Sequence, residues 1–179
     1  MRRFVVMFAL ALSTAVVVAG SGGSATSKSS FQVFVDETTS ASATGLTLVS
    51  ELEGSFNVVG KTASGEGSYE VFAGSTELEH GTFTLTRLVA FQFYGCGEVT
   101  VEGTRIPLPP DFCGGRALFA AHATSSTGEE RDVLYEVNCQ IHDPGGQAPP
   151  GTSEGVKANA RGVNFNKHVT GDNLLVMLP

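Results

Sequence analysis

A chain of 179 residues, 41% of them hydrophobic, is long enough for one domain with a real hydrophobic core and short for two. Its formal charge of −7 is repelled by phosphate backbones and anionic headgroups, so nucleic acid and membrane surfaces are poor partners. It contains no tryptophan, which weakens the case for a carbohydrate-stacking platform.

The chain opens Met1-Arg2-Arg3 and then runs apolar from Phe4 to Ala19, broken only by Ser13 and Thr14. A basic start before a short apolar stretch is the pattern of an export signal. At about 16 residues the stretch is short of the roughly 20 that a spanning helix needs. Val17 and Ala19 supply the small residues a signal peptidase prefers, placing cleavage near Ala19–Gly20. Removal of residues 1–19 takes away Arg2 and Arg3 and no acid, moving the charge from −7 to −9. The expected product is secreted or extracytoplasmic, with no membrane insertion after cleavage. Residues 20–30 (GSGGSATSKSS) read as a flexible linker, and residues 31–179 as the folded domain.

From Phe31 onward, period-two alternation dominates, as in half-buried strands. Phe31, Val33 and Val35 form the first run, followed by a turn over 38–45. Leu46 and Leu48 give a second strand and Phe56–Val59 a third. Lys61–Gly67 is rich in Gly and Ser and reads as a hairpin turn, with Tyr69 and Val71 on the strand after it. Gly81 reads as another turn. Glu77, Glu79 and His80 suggest a solvated acidic edge, with weak cation binding as the alternative.

Residues 82–94 are the longest β pattern, with Phe83, Leu85, Val89, Phe91 and Phe93 on one parity. Arg87 falls on that same inward parity. A β-bulge near it accounts for this most simply; a buried guanidinium paired with an acid is the alternative. Pro107-Leu108-Pro109-Pro110 excludes a central strand there. Strand pattern resumes over 116–124, turns on Thr127-Gly128, and runs again over 131–141, with Val133, Tyr135, Val137 and Cys139 facing one way. A Pro/Gly loop over 143–152 precedes two last strands, around 155–165 and 174–178. No segment after residue 19 keeps a helical period over three turns. About eight to ten short strands imply an all-β, antiparallel β-sandwich or β-barrel, and alternation alone does not separate the two.

Three cysteines, Cys96, Cys113 and Cys139, are expected to be oxidised in an exported protein as far as their odd number allows. A hairpin centred on Thr127 pairs residues whose numbers sum to about 254. It places His122 opposite Asp132 and Cys113 diagonally from Cys139. Cys96–Cys113 is the preferred disulfide, closing a loop around the Pro-rich turn. Cys113–Cys139, Cys96–Cys139 and no bridge stay open, and Cys139 also fits a buried free thiol.

Motif-like strings fail on context. Gly60-Lys61-Thr62 resembles the end of a phosphate loop, but lacks the glycine at position 55 and a following helix. Gly151-Thr152-Ser153-Glu154-Gly155 matches a nucleophile-elbow string without the strand-to-helix context it needs. His142-Asp143 reads as the start of a turn. No catalytic residue, metal site or cofactor is assigned. Arg87, Phe91, Phe93 and Tyr135 are the candidate ligand-binding residues, if a barrel encloses them. The expected function is a secreted non-enzymatic β-domain that binds a small apolar ligand or a protein partner. The alternatives are a structural or cell-surface protein without ligand, and a barrel-type isomerase or hydrolase with a polar cluster around Arg87.

Overall fold

The alternating runs become ten strands in a computed structural model that describes residues 29–101, 104–141, 153–160 and 162–179. The strands are β1 (Ser30–Ser42), β2 (Leu46–Asn57), β3 (Thr62–Ala73), β4 (Thr76–Cys96), β5 (Glu98–Val101), β6 (Thr104–Pro107), β7 (Phe112–Ser125), β8 (Glu130–Cys139), β9 (Gly155–Ala160) and β10 (Val163–Met177). The leader, the linker as far as Lys28, His142-Asp143 and the loop through Thr152 lie outside the described residues.

Eight strands close into an antiparallel barrel in the order β1-β10-β9-β8-β7-β4-β3-β2, and β5 and β6 form a separate hairpin between β4 and β7. Each barrel strand therefore pairs with its neighbours in sequence, and β1 meets β10 to close the ring. Closure leaves no free edge in the main sheet. This resolves the choice between sandwich and barrel in favour of the barrel.

Glycines explain part of the curvature. Gly54 stands opposite Gly65 in the β2–β3 ladder, and a Cβ on Gly65 would lie 2.6 Å from the Gly54 Cα. A Cβ on Gly67 would lie 2.4 Å from the Phe83 ring, and one on Gly81 2.2 Å from the Thr124 carbonyl oxygen. These are strand glycines at points of close approach, a recognised way to bend a sheet into a barrel. The expectations of turns over 61–67 and at Gly81 are thus corrected. The turns lie at 58–61 and at Gly74-Ser75, between β2 and β3 and between β3 and β4. The expected single strand over 155–165 likewise divides into β9 and the start of β10, which pair as a hairpin through Val163↔Ala160. The last strand begins well before Leu174, at Val163.

The β4–β7 ladder shifts register between Leu85 and Arg87, between Leu88 and Ala90, and between Phe93 and Gly95. The first bulge turns Arg87 out to solvent and buries Leu88 instead. The β7–β8 hairpin has the register read from its turn: His122 pairs with Asp132 and Gly115 with Cys139. Cys113 nevertheless bonds to Cys96, because the β4–β7 ladder places these two directly opposite with Cα atoms 4.0 Å apart. Cys139 is a buried free thiol.

The core divides along the barrel axis. One end is filled by aromatic rings: Phe56 lies 5.2 Å from Phe31, 5.1 Å from Phe91 and 5.4 Å from Phe119, centroid to centroid. Offset and edge-on packing of this kind fills space densely and adds to area burial. At the same end β8 and β9 stop short, and β10 pairs directly with β7 through Leu175↔Cys113. Glu154 spans that seam. Its carboxylate accepts the backbone N–H of Gln140 at 2.5 Å and that of Asn173 at 3.2 Å. Beside it, Tyr94 donates to Asn138 Oδ1 at 2.7 Å, and Asn138 Nδ2 donates to the Ser153 carbonyl at 2.7 Å.

Candidate functional site

The opposite end of the barrel, where the β1–β2, β3–β4, β7–β8 and β9–β10 turns gather, is less completely filled. There the bore keeps a cavity of about 60 Å³, whose lining includes Leu48, Val71, Phe83, Val133, Tyr135 and Phe165. The strands put these residues inside by parity: Phe83 is on the buried face of β4, and Tyr135 and Val137 on that of β8. Ala123, Ala158 and Ala160 also line it, and their short side chains leave the space that larger residues would fill.

Polar groups enter the cavity at two levels. Within the bore, Ser50 Oγ and Tyr135 Oη lie 2.9 Å apart, both buried. Burial pushes the Tyr135 phenol well above its usual range, so it is neutral at any physiological pH. At the rim, Tyr69 donates its hydroxyl to Glu79 Oε1 at 2.5 Å. Arg131 Nη2 donates to the same carboxylate at 2.9 and 3.0 Å. A second carboxylate, Glu129, lies 3.4 Å from that nitrogen. The Tyr69 phenol is raised to about 12 by burial first and by its bond to Glu79 second. Arg131 therefore crosses from β8 to β4 over the small Ala123 of β7, and the side chain is only 16% exposed. Its Nε is buried and has no hydrogen-bond partner.

No family model, curated protein or solved structure matches this chain. Its chemistry is therefore argued from its own residues.

Of the ligand-binding candidates read from sequence, Tyr135 lines the cavity. Phe91 does not: it packs between Phe31 and Phe56 in the aromatic end. Phe93 is 39% exposed and leans on Phe31 and Phe91. Arg87 is exposed on the outer wall, without an ion pair among the described residues. The four do not form one site. Tyr94, whose parity opposes that of Phe91 and Phe93, is buried outside the main core cluster.

Arg131 was assigned no role in the sequence, and Glu79 was read only as part of an acidic edge. Glu79 shares the parity of Phe83, and Arg131 that of Val133 and Tyr135, so inward placement was legible by counting back from the buried residues. The acidic-edge expectation is corrected for Glu79, which faces Arg131 from within the rim. Glu77 does remain exposed, with His80 Nδ1 2.5 Å from its carboxylate. Among the described residues, no group of three or more His, Cys, Asp or Glu side chains is arranged to hold a metal.

The other strings take ordinary structural roles. Gly60 donates its N–H to Asn57 Oδ1 at 2.6 Å in the β2–β3 turn, and Lys61 Nζ donates to the Val89 carbonyl. Strands stand on both sides, so no helix terminus is present there to hold a phosphate. Of the elbow-like string, Ser153 offers its carbonyl to Asn138, and Gly155 opens β9.

Proposed function

We propose that this chain is an exported, non-enzymatic β-barrel that accepts a small apolar molecule at the end of its bore. The observation that carries the reading is the apolar cavity of about 60 Å³, with polar side chains gathered at one rim and one hydroxyl pair inside. Small-molecule sites combine an apolar lining with a few placed polar groups, often in the mouth of a barrel. The basic-then-apolar leader and the Cys96–Cys113 disulfide support an oxidising, extracytoplasmic destination. Outward positions such as Glu51, Glu53, Glu66 and Glu70 are charged and exposed, which supports surroundings of water rather than lipid, since a membrane barrel needs an apolar outward band.

The cavity's size bounds the ligand. An apolar cavity of about 150 Å³ holds a benzene ring, so a volume of about 60 Å³ suits a fragment of a few heavy atoms, or the tip of a longer molecule that leaves through the rim. The same smallness favours a second reading, a structural barrel with no ligand, because pockets for larger organic ligands run to several hundred Å³. With Arg87 on the outer wall, a reaction centre inside the bore has no guanidinium from that residue.

Native mass spectrometry of the protein collected outside the cell tests the proposal. The expected species starts at Gly20, is lighter by two hydrogens for one disulfide, and carries a small adduct that leaves on collisional activation. A species that retains residues 1–19, or that shows no adduct after gentle recovery, would contradict the exported or the ligand-holding part respectively.

A further inference from the structure

We infer that Glu154 is a pH-operated latch on the barrel wall: uncharged, it closes a stretch of seam between β8 and β10 that carries no ladder, and charged, it leaves that stretch to water while the rest of the barrel stays folded.

The wall is incomplete there. The β9–β10 ladder ends at Phe165↔Ala158, and the β7–β10 ladder begins only at Leu175↔Cys113. On that side β10 has no strand partner between these points among the described residues. Side chains take the place of the ladder. Glu154, just before β9, accepts the N–H of Gln140, just past β8, and the N–H of Asn173 in β10. Asn173 Nδ2 donates to the Asn138 carbonyl at 3.2 Å, and Cys139 Sγ donates to the Asn173 carbonyl at 3.2 Å. Of these groups only the Glu154 carboxyl changes charge near neutral pH.

The surroundings favour the uncharged form. From β10, Asp172 adds a negative charge beside Glu154, and Asp36 of β1 stands opposite Asp172 in the ladder. From β8, the Cys139 thiol is buried and neutral. Tyr94 of β4 reaches the same layer by donating its hydroxyl to Asn138. The hairpin side of the groove presents Val99, Thr100 and Leu108, which carry no charge. Arg116 of β7 and Lys157 of β9 are engaged with Glu136, at 3.4 and 3.5 Å. His142 and Asp143 lie outside the described residues. Burial first, and Asp172 after it, push the Glu154 carboxyl up to about 7 against the pull of its N–H donors. The docked form therefore holds its proton more tightly than a form exposed to water. That preference for docking is full at low pH and fades as pH rises from about 4.5 to about 7. The part freed is the start of β9, since Gly155–Lys157 have no ladder to β10. Cys139 points into the core and stays covered.

Hydrogen exchange of the Gln140 and Asn173 amides in the whole protein, corrected for the intrinsic pH dependence of exchange, tests the latch. Protection at both should fall about thirtyfold between pH 5 and pH 8. At pH 8 both should exchange faster than amides of the β4–β7 ladder, such as that of Phe119. Glu154→Gln keeps an acceptor oxygen and removes the charge, and should abolish the fall. Asp172→Asn, on the exposed face, should shrink the fall and end it at a lower pH. His142→Gln should leave it unchanged. A fall that persists in Glu154→Gln, or that vanishes in His142→Gln, would overturn the latch. Equal protection at the two pH values would do the same, as would seam amides that exchange no faster than those of the β4–β7 ladder.

Discussion

Ser50 Oγ, from β2, meets Tyr135 Oη, from β8, at 2.9 Å inside the barrel, joining residues that are 85 apart in sequence. The pair satisfies two polar groups in an otherwise apolar stretch of core. Substitution Tyr135→Phe should destabilise the fold by about 1–2 kcal/mol, the cost of removing the hydroxyl that Ser50 meets in the core. Urea denaturation of the two proteins checks this, and Ser50→Ala combined with Tyr135→Phe should recover part of the loss.

The rim ion pair is partly buried, so its single and double substitutions should differ. Arg131→Ala leaves Glu79 facing Glu129 with only the Tyr69 hydroxyl for support, and should cost about 2 kcal/mol. Arg131→Met with Glu79→Leu removes both charges and fills the space, and should cost less than Arg131→Ala alone. Equilibrium denaturation of the set measures the coupling.

Close approach at the strand glycines makes another contrast. Gly65→Ala would place a Cβ 2.6 Å from both the Glu53 carbonyl oxygen and the Gly54 Cα. Neither is the end of a flexible side chain, so the β2–β3 ladder must move, at a cost of about 3 kcal/mol or more. Gly128, in the β7–β8 turn at φ +83°, has open space around it. Gly128→Ala should cost only the strain of its left-handed backbone, about 1 kcal/mol. Thermal melts of the two variants should therefore separate clearly.

Glu154 makes stability depend on pH. Burial pushes its carboxyl up to about 7, although the Gln140 and Asn173 N–H donors pull the other way. A carboxyl that holds its proton more tightly when folded favours the fold at low pH. That advantage fades as pH rises from about 4.5 to about 7 and is absent above it. The protein should lose on the order of 2 kcal/mol between pH 5 and pH 8 through this group, allowing for its partial contact with water. Glu154→Gln should show a flatter profile over the same window, measured by denaturant midpoints. An unchanged slope would assign the dependence to other groups.

Cys139 should be inert in the folded state. Burial first, and the nearby Glu154 second, raise its thiol to about 12. Iodoacetamide is expected to label it only after denaturation, and the non-reduced native protein should then take up one equivalent. Reduction of Cys96–Cys113 should lower stability by about 3 kcal/mol for a loop of this length.

Much of the barrel was legible because the apolar parity of β7 and β8 is uninterrupted, and that of β1 holds from Phe31 to Val35 before a bulge shifts it. The register of the β7–β8 hairpin followed from the Thr127-Gly128 turn alone. The bulge at Arg87 was legible too, since a charge on an apolar parity demands either a shift or a partner. The strand glycines were misread, because Gly65, Gly67 and Gly81 look like turn residues unless the partner strand's position is known. The site was harder still. Phe91 and Phe93 looked equivalent to Phe83 by parity, but the bulge at Arg87 and a second between Leu88 and Ala90 lie between Phe83 and them. The Arg131–Glu79 contact joins strands that are not sequence neighbours, and hydrophobic alternation carries no information on such a pair.

A crystal of the protein pressurised with xenon tests the central claim most directly, because xenon occupies small apolar cavities without needing a polar partner. A single xenon atom is expected in the space lined by Leu48, Val71, Phe83 and Phe165. A bore that takes up no xenon there, or that holds a chain of hydrogen-bonded waters in its place, would contradict the account.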